Sequence, residues 1–116
     1  MKALVTGASG FVGKATCARL VADGMDVIGT VRHTPTRPLQ GVDYRIVGDL
    51  DTDTDWRNAL TGVDTIVHCA ARVHVMRDTA ADPVVAFRTT NVVGTEQLAR
   101  QAAASGIRRF IFLSSV

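Results

Sequence analysis

Thr6-Gly-Ala-Ser-Gly-Phe-Val-Gly13 is the stretch that decides the fold, and it directly follows the apolar run Ala3-Leu4-Val5. In a turn between a strand and a helix, the first glycine permits a tight reversal and the second permits close approach of a pyrophosphate. The third lets the helix pack closely on the sheet. The first N–H groups of that helix then face the phosphates. The strand before and the helix after favour a dinucleotide site over a glycine-rich turn without a ligand. The residues expected at the cofactor are Gly7, Ser9, Gly10, Phe11, Val12 and Gly13.

Composition indicates one soluble globular domain. The chain has 116 residues, of which 47% are hydrophobic and 21% are charged. A net charge of +2 gives no reason to expect nucleic acid or an anionic membrane as a partner. No apolar stretch is long enough to span a membrane, and Met1-Lys2 leads straight into the first strand without a signal peptide, so we expect a cytoplasmic protein. Cys17 and Cys69 have neither metal-ligand nor redox spacing and are expected to be buried thiols.

Hydrophobic periodicity alternates between strand and helix along the whole chain. This pattern predicts an α/β protein with a Rossmann-type doubly wound parallel sheet in strand order 3-2-1-4-5. Together with the glycine turn, it indicates that residues 1–116 are one NAD(P)-binding domain. Asp82 is predicted to cap the last helix, with Pro83 at its first position. The predicted strands are Lys2–Thr6, Asp26–Val31, Asp43–Val47, Asp64–Cys69 and Arg109–Leu113, and the predicted helices are Phe11–Asp23, Asp53–Leu60 and Pro83–Ala104.

The end of the second strand bears on the choice of cofactor. An NAD site places an acidic residue there to bind the ribose 2′-hydroxyl, whereas this chain has Val31 followed by Arg32. A guanidinium suits a 2′-phosphate, so the sequence favours NADP(H), with NAD(H) possible. The alternative is that Arg32 is an ordinary exposed loop arginine.

Other polar residues lie at or near the carboxyl edge of the predicted sheet. Asp49 follows the third strand and either accepts a hydrogen bond from an adenine amino group or caps the next helix. Asn91 lies on the apolar stripe of a helix, where an amide must find hydrogen bonds, either at an active site or in the core. His68 ends a buried strand and is interpreted as structural. Ser114 and Ser115 close the last strand, where a hydroxyl could bind a carbonyl or alcohol near the nicotinamide. Spacing alone favours the alternative that they are two polar residues at a strand end.

Taken together, these motifs resemble the extended short-chain dehydrogenase/reductase superfamily, and most of all its NAD-dependent epimerase/dehydratase family, which acts on nucleotide sugars. The stretch Ala70–Met76 is also similar to bacterial sugar epimerases and 4-ketoreductases. The motifs that carry the resemblance are Thr6–Gly13, Gly48-Asp49-Leu50, His68-Cys-Ala-Ala71, Asn91-Val-Val-Gly-Thr95 and Phe112-Leu-Ser-Ser115.

The resemblance implies a role for several residues. Asp49 and Leu50 would belong to the adenine pocket. Ala70 and Ala71 would line the cofactor beside the nicotinamide ribose. Asn91 would stand at the cofactor site and support a proton relay. The absence of an acid at position 31 resembles the NADP-using reductase branch of the family.

By the same resemblance Ser115 would be the catalytic serine, which polarises the substrate oxygen. The family's proton donor is a tyrosine with a lysine four residues later, and this pair is missing. The single tyrosine, Tyr44, has Gly48 at that distance, and the only lysines are Lys2 and Lys14. We therefore expect the chain to be an amino-terminal fragment, truncated before the final strands and the substrate lobe, and inactive alone.

Two functions from different classes follow for the full-length parent. The first is an NAD(P)-dependent epimerase or 4-ketoreductase that transfers hydride at a carbon of a nucleotide sugar. The second is a non-catalytic NAD(P)-binding sensor or scaffold. A Tyr-x-x-x-Lys motif downstream would favour the enzyme. The expected partners are a dinucleotide and a nucleotide sugar, with a homodimer possible.

Overall fold

The computed structural model of the protein describes residues 1–48, 50–51, 53–70 and 83–113. A π-helical turn at Thr89–Gly94 separates the last two helices. The strands within these residues are β1 (Lys2–Thr6), β2 (Asp26–Val31), β3 (Val42–Ile46), β4 (Thr65–His68) and β5 (Arg109–Phe112). The helices are α1 (Phe11–Ala22), α2 (Arg57–Leu60), α3 (Pro83–Arg88) and α4 (Thr95–Ala104).

The strands of the described residues form a parallel sheet in the order β3-β2-β1-β4-β5, which confirms the predicted Rossmann topology. β1 lies at the centre, and its last residue, Thr6, pairs with Thr30 of β2 and His68 of β4. The strand order reverses between β1 and β4. Ligands of open parallel sheets bind beyond the carboxyl ends of the strands at such a reversal.

The two faces of the sheet bury separate apolar clusters. Successive residues of a strand point to opposite faces, so Leu4 belongs to one cluster and Val5 to the other. The first cluster packs β1, β2 and β4 against α2, α4 and the fully buried Trp56. The second packs the sheet against α1 through Cys17. Helices on both faces explain why β1 and β4 are buried along almost their whole length.

Strand β5 is partly exposed although its sequence is largely apolar. Ile111 is 45% exposed and Phe112 is 51% exposed. The reason is its position, because β5 is the last strand of the described sheet and pairs only with β4.

The predicted helix from Pro83 to Ala104 is interrupted rather than continuous. The π-helical turn separates α3 from α4 in the run Thr89-Thr-Asn-Val-Val-Gly94. This run contains β-branched residues and a glycine, which favour an α-helix less than alanine or leucine does. Asn91 therefore lies in a π-helical segment, a feature often found at functional sites.

Helix α2 begins later than predicted, at Arg57 instead of Asp53. Aspartate side chains form local turns in the preceding segment. The Asp51 carboxylate accepts the Asp53 N–H at 2.8 Å, and the Asp55 carboxylate accepts the Arg57 N–H at 3.0 Å. These bonds compete with helix formation.

No helix within the described ranges combines the length and apolar character that a membrane crossing needs.

Candidate functional site

Glycine is required at both ends of the turn between β1 and α1. Gly7 has φ +63°, and a β-carbon there would lie 2.8 Å from Ala70 Cα. A β-carbon on Gly13 would overlap the carbonyl oxygen of Gly7, so α1 packs directly against the turn. The N–H of Ala8 donates to the Thr30 carbonyl at 3.1 Å and ties the turn to β2. The turn is therefore fixed by its own packing.

Gly10 is different, because the protein itself does not require glycine there. Its φ is −77° and its ψ is 174°, and the nearest atom to an added β-carbon is the Gly7 oxygen at 3.4 Å, an ordinary contact. Gly10 is the N-cap of α1 and supplies no side-chain cap. The N-terminus of α1 thus has no side-chain cap, and its N–H groups and positive dipole end are of the kind that binds anions.

The other residues predicted in this turn lie around the same opening. Ser9 is exposed, Phe11 is 95% exposed and Val12 is 50% exposed. A large apolar side chain exposed to this extent at a helix N-terminus is consistent with a surface that a ligand covers.

Arg32 lies at the same edge of the sheet. It directly follows Val31, the last residue of β2, and it is exposed. Since the registers of β1, β2 and β4 align Thr6 with Thr30 and His68, the strand ends that precede Gly7, Arg32 and Ala70 lie side by side.

Leu50, Asn91 and Ala70 have different surroundings. Leu50 is 5% exposed in the core, and its backbone lies against Gly94, where an added β-carbon would meet Leu50 Cβ at 2.8 Å. Asn91 is half-buried in the π-helical turn, shortly before Gly94. Ala70 is half-buried and its backbone contacts the turn at Gly7. The predicted contacts of these three residues with a cofactor therefore stay proposals.

Some predicted residues lie outside the described part of the chain. These are Asp49, Ala71, Asp82, Ser114 and Ser115.

A buried hydrogen-bond network lies beneath the turn. Thr6 Oγ1 is 2.7 Å from His68 Nδ1, and His68 Nε2 is 2.8 Å from Thr95 Oγ1. The N–H groups of Cys69 and Ala70 both donate to Thr6 Oγ1 at 3.0 Å. Sequence reasoning did not identify either threonine. The predicted adjacency of β1 and β4 could have placed Thr6 beside His68, but it carried no signal for Thr95 on a helix.

Burial shifts the pKa of several groups in and near this network. Burial lowers the pKa of His68 to about 4, so the ring is neutral near pH 7. Burial, with a smaller effect from Cys69, raises the pKa of Cys17 to about 11. Burial also raises the pKa of Cys69. Both thiols therefore stay protonated. Cys17 is fully buried as predicted, whereas Cys69 is only half-buried.

Two further side chains fasten connecting segments to the fold. Gln101 Oε1 accepts the backbone N–H of Trp56 at 2.7 Å, and Gln101 Nε2 donates to the Thr54 carbonyl at 2.8 Å, which fastens the segment before α2 to α4. The Tyr44 hydroxyl accepts the Leu39 N–H at 2.9 Å. The single tyrosine of the chain thus anchors the loop between β2 and β3.

Similar proteins match almost all of this chain with about a third of their own length. The chain is 40% identical over 114 residues to a UDP-glucose 4-epimerase of Vibrio cholerae, an alignment that covers 97% of this chain and 34% of that protein. A solved short-chain dehydrogenase/reductase superfamily protein from Agrobacterium tumefaciens with bound NAD has a TM-score of 0.79 and 32% identity, over 99% of this chain and 33% of that one.

A second solved structure gives the same result. UDP-glucuronic acid 4-epimerase from Bacillus cereus, in complex with NAD, has a TM-score of 0.77 and 26% identity over 99% of this chain and 40% of that one. The chain thus spans about a third of the length of the relatives it matches. The model of the NAD dependent epimerase/dehydratase family matches residues 3–116. With this match and the glycine turn described above, the chain belongs to the NAD-dependent epimerase/dehydratase family.

Proposed function

We propose that this chain forms the dinucleotide-binding part of an enzyme that transfers hydride at a carbon of a nucleotide sugar, as an NAD(P)-dependent epimerase or 4-ketoreductase. The observation that carries the proposal is the uncapped N-terminus of α1 behind Gly10, where the nearest non-neighbouring atom lies 3.4 Å from the place of an added β-carbon. Binding of NAD in two similar structures and the name of the Vibrio cholerae relative support it.

The pyrophosphate of the cofactor would lie at the turn. The backbone N–H groups at the start of α1 have no partner within the helix, and no acidic residue stands in its first turn to repel an anion. Gly7 and Gly13 fix the turn, while Gly10 leaves room for the phosphates. The binding energy is thus supplied by backbone groups already in place.

When bound, the nicotinamide would supply the hydride acceptor and donor. The protein has to orient it and to manage the accompanying proton. We propose that Ser115 polarises the substrate oxygen and that Asn91 supports the proton relay, as the family resemblance implies. Tyr44 is not the proton donor of this scheme, because it has no lysine four residues later and its hydroxyl binds the Leu39 N–H.

We further propose that the enzyme prefers NADP(H). Val31 is buried and Arg32 is exposed at the carboxyl end of β2, so the position where an NAD site carries an acid holds valine, followed by a cation. A guanidinium binds a 2′-phosphate through charge-assisted hydrogen bonds.

A test of the dinucleotide site compares Gly10→Val with Ala18→Val. Ala18 lies on the exposed face of the same helix, so its variant adds similar bulk away from the turn. Gly10→Val should retain the native circular dichroism and lose binding of both dinucleotides in isothermal titration calorimetry, since the side chain occupies the phosphate space. Ala18→Val should bind like the wild type. Tight binding by folded Gly10→Val would contradict the proposal.

A further inference from the structure

The network around His68 has a direction that its donors and acceptors fix. A threonine hydroxyl has one proton and two acceptor lone pairs. Both lone pairs of Thr6 Oγ1 are used by the N–H groups of Cys69 and Ala70, each at 3.0 Å. The remaining contact, at 2.7 Å to His68 Nδ1, must therefore be donated by the Thr6 hydroxyl. His68 Nδ1 is the acceptor and carries no proton.

This assignment determines the other half of the ring. A neutral imidazole without a proton on Nδ1 carries it on Nε2. His68 Nε2–H therefore donates to Thr95 Oγ1 at 2.8 Å. The opposite tautomer would aim an N–H at a hydroxyl oxygen that has no lone pair left. The chain of bonds runs from the Cys69 and Ala70 amides through Thr6 and His68 to Thr95.

The two ends of this hydrogen-bond network lie at two parts of the proposed site. At one end, Ala70 packs its backbone against Gly7, where the glycine turn begins. At the other end, Thr95 is the first residue of α4 and follows the π-helical turn that contains Asn91. The helix is held there from a second side too, because Gly94 lies against the backbone of Leu50.

We propose that His68, as the neutral Nε2–H tautomer, is a positioning residue that fixes the start of α4 relative to the dinucleotide-binding turn. The effect of this role on cofactor binding rests on the proposed function. His68 itself is 1% exposed and reaches the site only through Thr6 and Thr95. Such a ring can transmit position because buried hydrogen bonds with all partners satisfied are rigid.

The tautomer can be measured without any ligand. In ¹⁵N-labelled protein near pH 7, the imidazole nitrogen shifts and their couplings to the ring protons should identify a protonated Nε2 and an unprotonated Nδ1 for His68. His68→Asn identifies the resonance by its absence. A ring protonated on Nδ1, or one averaging between tautomers, would overturn the proposal.

The positioning role is tested with Thr95→Val and Thr95→Ser. Valine has the same shape but no acceptor, whereas serine retains the hydroxyl and acts as the matched control. Thr95→Val should weaken NAD(P)H binding about two- to tenfold while leaving the tautomer unchanged, because Thr6 still donates to Nδ1. Thr95→Ser should stay within about twofold of wild type. Equal affinity of wild type and folded Thr95→Val would refute the positioning role alone. Failure of the wild type to bind either dinucleotide would refute the proposed function, while the tautomer measurement would still decide the direction of the network.

Discussion

His68 lies among groups that carry no charge: the hydroxyls of Thr6 and Thr95 and the rings of Phe110 and Phe112, whose centroids are 6.1 and 5.9 Å away. Its pKa is about 4 because burial opposes the charged form. In an unfolded chain a histidine has a pKa near 6.5, so the unfolded state binds more protons between pH 4 and pH 6.5.

Acid should therefore destabilise the protein through this one side chain. The stabilisation from neutral His68 is complete above about pH 6.5 and is lost as the pH falls to about 4, which amounts to roughly 3 kcal/mol. Urea unfolding followed by circular dichroism at several pH values measures the slope. His68→Asn should be less stable at neutral pH but should lose less stability on acidification. Equal slopes for the two proteins would contradict this prediction.

The second prediction at the residue scale concerns Arg32 and the preference for NADPH over NADH. Loss of a charge-assisted contact to the 2′-phosphate costs about 1.5–3 kcal/mol, or about 10- to 100-fold in affinity. Arg32→Ala should lose this much affinity for NADPH and almost none for NADH, as measured by titration of the same preparations. Arg57→Ala, an exposed arginine paired with Asp55, is the control. Equal affinities of the wild type for the two cofactors would exclude the preference.

At the scale of the element, the junction between the π-helical turn and α4 has room for no side chain larger than that of glycine at position 94. A helical glycine replaced by alanine normally gains about 1 kcal/mol of stability. At Gly94 the new β-carbon would lie 2.8 Å from Leu50 Cβ and 3.2 Å from two backbone atoms of the same residue. We expect Gly94→Ala to destabilise the protein by about 1–3 kcal/mol instead, measured by urea unfolding. A stabilised variant would show that Leu50 does not pack as described.

The elements also show how far the sequence determines the structure. β1 and β2 match their predicted bounds because each is an apolar run next to turn residues. The prediction of one long helix was wrong in its middle, because side-chain periodicity does not distinguish a π-helical turn from an α-helix. The late start of α2 depends on bonds made by Asp51 and Asp55, which compete with the helix that spacing predicts.

In the candidate site, too, local features were predicted from the sequence and long-range features were not. The glycine turn is local in sequence and was predicted, and its geometry agrees with the reasons given for Gly7 and Gly13, whereas the role of Gly10 at a pyrophosphate stays a prediction. The network of Thr6, His68 and Thr95 joins residues 62 and 27 positions apart, so no local pattern reports it. The preference of Arg32 for a phosphate and the roles of Asn91 and Ser115 stay predictions.

At the scale of the whole molecule, one edge of the described sheet exposes large apolar side chains. Ile111, Phe112 and Leu113 are each more than 40% exposed on or beside β5, which has no partner on one side among the described residues. Unpaired backbone beside large apolar side chains is a template for association.

The chain of 116 residues should therefore self-associate. Sedimentation velocity should show oligomers whose fraction rises with concentration, and Ile111→Lys should reduce it because a charge on an edge strand opposes pairing. Ala103→Lys places the same charge on the exposed face of α4 as a control. We also expect no turnover of nucleotide sugars by this chain, since it contains no tyrosine–lysine pair. A soluble, active monomer would contradict both expectations.

The packing of Trp56 has an optical consequence. It is the single tryptophan of the sequence, its side chain is fully buried, and its indole Nε1 has no acceptor among the described residues. An indole without solvent or a hydrogen bond emits at the short-wavelength end of the tryptophan range. The protein should therefore fluoresce in the near ultraviolet and shift to longer wavelength when it unfolds. Reduced nicotinamide absorbs where tryptophan emits, so this one ring provides a native energy-transfer donor for following cofactor binding without any label.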